Sequence, residues 1–107
     1  MLEDAFGCSQ RLVVYGTLAP GASNAHVLAE CTGTWSRGSV HGWTAVRDYP
    51  VFTHDPEGPA VAMQVLHSAQ LPTRWEHIDE FEGGEYCRVL VPVYERLRLI
   101  TIANLYG

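Results

Sequence analysis

Residues 76–85 form an acid-rich run in which one carboxylate stands apart from the others. Leu71, Trp75 and Ile78 recur at the spacing of one helical face, and the next position on that stripe holds Glu82. Glu76, Asp79 and Glu80 fall off the stripe and are expected to stay in water. A carboxylate facing low dielectric has its charged form disfavoured, so its pKa rises. That suits proton transfer near neutral pH. The same spacing also admits Glu82 just past the helix end, as an ordinary solvated side chain. Tyr86 and Arg88 follow two apart at the start of a strand and so share a face of the sheet. An arginine there can pair with the carboxylate or with an anionic ligand, although both residues also fit plain strand filling. Earlier in the chain, Tyr15-Gly16-Thr17-Leu18 closes an apolar strand. Its glycine lets backbone N–H groups approach a ligand closely, and successive N–H groups in a turn can form an anion-binding concavity. A simple turn glycine would read the same way.

The elements that position these residues can be read from local pattern. Residues 11–18 (RLVVYGTL) are β-branched and aromatic and stop at Ala-Pro-Gly, as a strand running into a turn does. Residues 22–31 have the makings of a short helix, with Ser23 or Asn24 as cap. Residues 33–46 alternate at roughly strand spacing, and Gly38 and Gly42 suggest bulges or a tight bend. Asp55-Pro56-Glu57-Gly58 is a strong turn. Residues 59–67, 86–94 and 97–106 read as further strands, the last two joined by a turn near Glu95-Arg96 that lacks Gly or Asn. The intervening helix spans 73–81. Thr73 is its expected cap and Glu76 completes a capping box, while Gly83-Gly84 supplies a left-handed stop. Strands, one helix, then strands predict an α+β domain whose antiparallel sheet curls toward a barrel.

Composition narrows the function classes. A chain of 107 residues, 47% hydrophobic and 18% charged, fits a single domain over 1–107 with a core of its own. The net charge of −5, from 7 basic and 12 acidic residues, argues against a nucleic-acid partner. Cys8, Cys31 and Cys87 are far apart and show no CxxC, which favours a reducing cytoplasm over a disulfide framework. Residues 1–10 (MLEDAFGCSQ) lack the basic start and apolar run of a signal peptide. No apolar stretch approaches the ~18–20 residues needed to span a bilayer, so no membrane partner is expected. His26, His41, His54, His67 and His77 show no metal-ligand spacing, and no metal is expected. Nothing in the sequence sets an oligomeric state.

The combination of motifs is more specific than its parts. Val14-Tyr15-Gly16-Thr17-Leu18 followed by Pro20-Gly21 resembles the opening motif of the gamma-glutamylcyclotransferase-like superfamily. Asp79-Glu80-Phe81-Glu82-Gly83, then Tyr86 and Arg88-Val89, resembles its second motif. Gly33-Thr34-Trp35, Asp48-Tyr49-Pro50 and Asp55-Pro56-Glu57-Gly58 fall where small bacterial members carry similar stretches, so the resemblance spans 12–106. It implies a small mixed, mainly antiparallel β-barrel flanked by short helices, with one cavity and no cofactor. It also implies an enzyme acting on a small-molecule gamma-glutamyl amide. Glu82 would be the general acid/base, Tyr15, Gly16, Thr17 and Leu18 would hold substrate through backbone groups, and Tyr86 and Arg88 would line the same site. In such enzymes the α-amine attacks its own side-chain carbonyl and releases 5-oxoproline and an amine. Better-known members carry Tyr-Gly-Ser-Asn-Leu, whereas this chain has Tyr-Gly-Thr-Leu, the form of the avirulence-induced-gene-like and small bacterial group. The amine half of the substrate is therefore open. A non-catalytic metabolite-binding or regulatory module on the same barrel is the alternative, and a purely structural interaction domain is a third reading. An inert module has no need of a carboxylate on the buried stripe.

Overall fold

A computed structural model describes residues 7–15, 25–29, 31–46, 50–83, 86 and 88–107. The strands are β1 (Arg11–Val14), β2 (Thr34–Val46), β3 (Pro50–His54), β4 (Ala60–His67), β5 (Arg88–Glu95) and β6 (Arg98–Tyr106). Among the described residues, one α-helix, α1 (Leu71–Glu82), and 3-10 turns at Cys8–Gln10 and Ala25–Leu28 accompany the strands. The strands form one sheet in the order β3-β2-β4-β1-β6-β5. A further β2–β5 pairing, Ser39 opposite Tyr94, closes five of the strands into a barrel with β3 as an extension. β1 and β6 run parallel, with Leu12 beside Asn104 and Val13 beside Leu105, and the remaining pairs are antiparallel. This is the mixed, mainly antiparallel barrel that the resemblance implies; the strand–helix–strand order by itself predicts an antiparallel curled sheet, and the parallel β1–β6 pair is what it misses.

Strand alternation sorts the core into two clusters. Val13, Val40, Phe52, Met63, Val65, Val91, Val93, Ala103 and Leu105 pack together inside the barrel. Leu12, Val14, Leu66 and Tyr106 point the other way, under Leu71, Trp75 and Ile78 of α1. β1 is thus buried on both faces, which is why its sequence reads as an unbroken apolar run. The stripe of α1 covers the outer wall of the barrel at the strands that carry Tyr15 and Tyr106.

Several local expectations change. α1 begins at Leu71, not Thr73, with Gln70 before it in helical conformation and no side-chain cap. Thr73 Oγ1 donates instead to the Gln70 carbonyl at 2.9 Å, so the capping box does not form. Pro72 occupies the first turn, where a missing N–H costs nothing. Gly83 does stop the helix, at φ 73°, ψ −170°, with its N–H on the Asp79 carbonyl. That backbone region is essentially reserved for glycine. The β2 ladder runs through Gly38 and Gly42 without a break in register, and the irregularity falls instead between Val93 and Tyr94 in the β5–β6 pair. Both glycines mark close approach: at Gly42 a Cβ would lie 2.2 Å from the Thr53 carbonyl oxygen and 2.5 Å from the Phe52 ring. There β2 changes partner, from β4 to β3. The 55–58 turn forms as expected, with Gly58 N–H on the Asp55 carbonyl and Glu57 N–H on Asp55 Oδ1. β1 ends at Val14, short of the expected 18, and β5 starts at Arg88 rather than 86. β3 has no counterpart among the sequence expectations. Gly16, Thr17 and Leu18, the capping residues Ser23 and Asn24, the Asp48-Tyr49 segment and Gly84 lie outside the described residues.

Candidate active site

Glu82 is the last residue of α1. Leu71, Trp75 and Ile78 on its stripe are buried, but Glu82 is half-buried, less than the stripe predicts. The physical reason is position: the final helical turn reaches the rim of the outer cluster. Partial burial is still enough to push its carboxyl above the ordinary carboxylate range. No hydrogen bond or ion pair joins the Glu82 carboxylate to another described residue.

Two phenols, Tyr15 and Tyr106, feel the charge of this carboxylate, and Tyr86 acts in turn on Tyr15. Tyr15, just past β1, donates its hydroxyl to the Tyr106 carbonyl at 2.7 Å and accepts the Phe52 N–H at 3.1 Å. Burial pushes the Tyr15 phenol up to about 12 against the pull of the Phe52 N–H, and the charges of Tyr86 and Glu82 add to the rise. Tyr106, the last residue of β6, is pushed up more strongly. Burial is the main cause there, the Asp79 hydrogen bond and charge come next, and Glu82 adds a further push. Glu82 therefore lies within electrostatic reach of both Tyr15 and Tyr106. Tyr86 is partly buried and packs on the cluster that contains Trp75 and Tyr106.

Arg88 and Asp79 depart from expectation. Asp79 keeps part of its carboxylate in water but does not stand alone there. Arg88 pairs with it and not with Glu82: Nε lies 3.0 Å from Oδ1 and Nη2 lies 3.2 Å from Oδ2. The guanidinium also sits 4.3 Å from the centre of the Trp75 ring, a cation–π geometry. The Tyr106 hydroxyl donates to the same Asp79 Oδ1 at 2.5 Å, within the range for a phenol on a carboxylate. Asp79, Trp75 and Tyr106 are thus neighbours of the site that sequence spacing did not single out as such. Trp75 was legible only as an apolar stripe residue. Tyr106 reaches the site across the parallel β1–β6 pair, which leaves no local trace in sequence.

Chemically, the arrangement offers a half-buried carboxyl group able to take up and return a proton, with the phenols of Tyr15 and Tyr106 within electrostatic reach. Among the described residues, no group of three His, Cys, Asp or Glu side chains could hold a metal, and no helix is long and apolar enough to cross a membrane.

A small closed mixed barrel with one helix laid on its wall is the fold of gamma-glutamylcyclotransferase-like proteins. The chain belongs to the family Gamma-glutamyl cyclotransferase, AIG2-like, which matches residues 12–105. Its fold is similar to that of YkqA from Bacillus subtilis, with a TM-score of 0.72 at 24% identity over 91% of this chain and 35% of that one. An AIG2-like protein from Mus musculus gives 0.71 at 20% identity, over 92% of this chain and 76% of the other. A protein from Arabidopsis thaliana gives 0.65 at 23% identity, over 91% and 60%. The chain thus spans about a third of YkqA's length and most of the mouse protein's. No curated protein matches the sequence.

Proposed function

We propose that this chain cyclises a gamma-glutamyl amide, releasing 5-oxoproline and an amine, with Glu82 as the general acid/base. The reading is supported above all by one observation: Glu82 is a half-buried carboxylate with no partner among the described residues, its carboxyl raised by burial, within reach of Tyr15 at the end of β1. In the reaction, the Glu82 carboxylate takes a proton from the α-ammonium. The freed amine attacks the side-chain amide carbon, forming the ring C–N bond. Collapse of the tetrahedral intermediate breaks the bond to the leaving amine, which receives the proton from Glu82. The ring nitrogen then gives its second proton through the same carboxylate to the departing amine, leaving a lactam N–H and an ammonium. Ring closure is intramolecular, so binding a folded conformer supplies much of the acceleration. The backbone of Tyr15, Gly16, Thr17 and Leu18 would face the carbonyl oxygen, where N–H groups stabilise developing charge. Tyr86 would line the pocket. Arg88, already held by Asp79, acts on the site from its edge.

The test is Glu82→Gln assayed on a panel of gamma-glutamyl amides. 5-Oxoproline release should fall by ~10²–10⁴-fold, while Glu80→Gln, off the stripe and exposed, leaves it unchanged. Because the folded-state pKa of Glu82 lies above its unfolded value of about 4.5, the fold disfavours the ionised form. That penalty is absent below the unfolded pKa and is complete once pH has risen through the folded one. Glu82→Gln should therefore be at least as stable as wild type at neutral pH, with the difference vanishing in acid. Equal turnover by the two proteins would remove Glu82 from the mechanism. Wild-type binding of these amides without turnover would make the chain a binding module instead.

A further inference from the structure

We infer that Asp79 is a positioning residue that holds the Arg88 charge away from Glu82 and so keeps the catalytic carboxylate unpaired. The inference rests on the reading of Glu82 given above, but its central measurement does not need turnover. Asp79 and Glu82 are three residues apart on α1, which makes them neighbours on the helix surface. Arg88, at the start of β5, is the cation in contact with Asp79, and its charge already acts on the Tyr106 phenol that also feels Glu82. A guanidinium beside a carboxylate lowers its pKa by ~1–3 units. Free to turn, Arg88 would therefore convert Glu82 from a proton-exchanging group into a fixed ion-pair partner.

Three contacts prevent that turn. The fork of Arg88 is spent on both oxygens of Asp79. Its face is stacked on Trp75. The Tyr106 hydroxyl, donating to Oδ1, fixes the carboxylate that receives the fork. The pair is close to neutral as a unit, so Glu82 sees neither a bare cation nor a second bare anion. The other titratable groups that feel Glu82 are Tyr15 beyond β1 and Tyr106 on β6, both phenols raised by burial and neutral at physiological pH.

The experiment is an NMR titration of the Glu82 side chain in wild type, Asp79→Asn, Arg88→Gln and the double variant. Asp79→Asn unmasks the cation, and the Glu82 pKa should fall by about one unit. Arg88→Gln unmasks the Asp79 anion, and the Glu82 pKa should rise. In the double variant it should return near the wild-type value. The acid limb of kcat/KM should move with it, to lower pH in Asp79→Asn and back in the double variant. If Asp79→Asn does not fold, the rise in Arg88→Gln and its cancellation in the double variant still decide the matter. Shifts in the same direction in both single variants mean that the pair merely braces the helix end and overturn the inference, as does an unmoved Glu82. Should Glu82→Gln leave turnover intact while these opposite shifts are found, the acid/base reading fails and the charge arrangement stands.

Discussion

Glu82 and Asp79 leave α1 on the same side of its last turn, yet one carboxylate is tied by Arg88 and Tyr106 and the other has no described partner. Their neighbour Tyr15 shows how tightly the rim is wired. Its hydroxyl is both donor to the Tyr106 carbonyl and acceptor from the Phe52 N–H, linking β1, β3 and β6. Tyr15→Phe leaves two backbone groups without that partner, and an unsatisfied buried group costs ~1–3 kcal/mol. Chemical denaturation should show a loss of about that size at neutral pH. The alkaline behaviour follows from the raised phenol. An unfolded tyrosine ionises near 10, whereas Tyr15 in the fold waits until about 12. Its contribution to stability is whole below the unfolded value and is lost as pH rises from there through the folded one. The wild-type protein should therefore lose stability over that window more steeply than Tyr15→Phe, measured by urea midpoints at successive pH values. At this scale the sequence disclosed Glu82, because helical periodicity is a local property. It could not disclose that Arg88 would choose Asp79, because that choice depends on Trp75 and Tyr106 meeting in space.

α1 was legible as an element because Leu71, Trp75 and Ile78 repeat at helical spacing and Gly83 can take a positive φ. The helix starts two residues before the cap-like Thr73, because Pro72 fits the first turn and Gln70 already has helical backbone. β3 leaves little local signal in the sequence. Pro50–His54 is short and pairs only with the far half of β2, so its support is tertiary rather than local. The β5–β6 turn was placed near Glu95-Arg96 without the residue such a turn normally carries, and its cost is visible. Arg96 adopts φ 58°, with Glu95 opposite Arg98 across the turn. A left-handed conformation costs an ordinary L-residue ~1–2 kcal/mol, and asparagine tolerates it better. Arg96→Asn should therefore stabilise the hairpin, raising Tm by a few degrees for a domain of this size on a gain of ~1 kcal/mol. A calorimetric Tm unchanged or lowered would mean that Arg96 is held by contacts that outweigh the strain.

Closure of the barrel is a property of the whole molecule, and it depends on how near β2 can come to β5. Ser39 opposite Tyr94 is the register contact between them. One residue earlier, β2 carries Gly38, where an added Cβ would sit 2.4 Å from Val93 Cγ1 and 3.5 Å from the Tyr94 carbonyl oxygen. Val93 is fully buried inside the barrel beside Val40 and Val91, and its β-branched side chain has little rotamer freedom with which to give way. The absence of a side chain at 38 is therefore what lets the seam close, a requirement that the sequence presents only as a glycine of uncertain purpose. Gly38→Ala should overpack the seam and cost ~1–3 kcal/mol. Val93→Ala alone opens a cavity in the barrel and is destabilising in its own right. Combined, the two changes relieve one another, because the new methyl occupies space that Val93 has vacated. The double variant should be less destabilised than the sum of the singles by ~1 kcal/mol, within the range found for residues in direct contact. Urea unfolding of the four proteins measures that coupling. Strict additivity would place the seam elsewhere and leave Gly38 without a structural reason. A favourable coupling together with normal 5-oxoproline release in the double variant would show that the seam can be repacked without disturbing Glu82, whose helix lies against the outer wall at β1, β4 and β6.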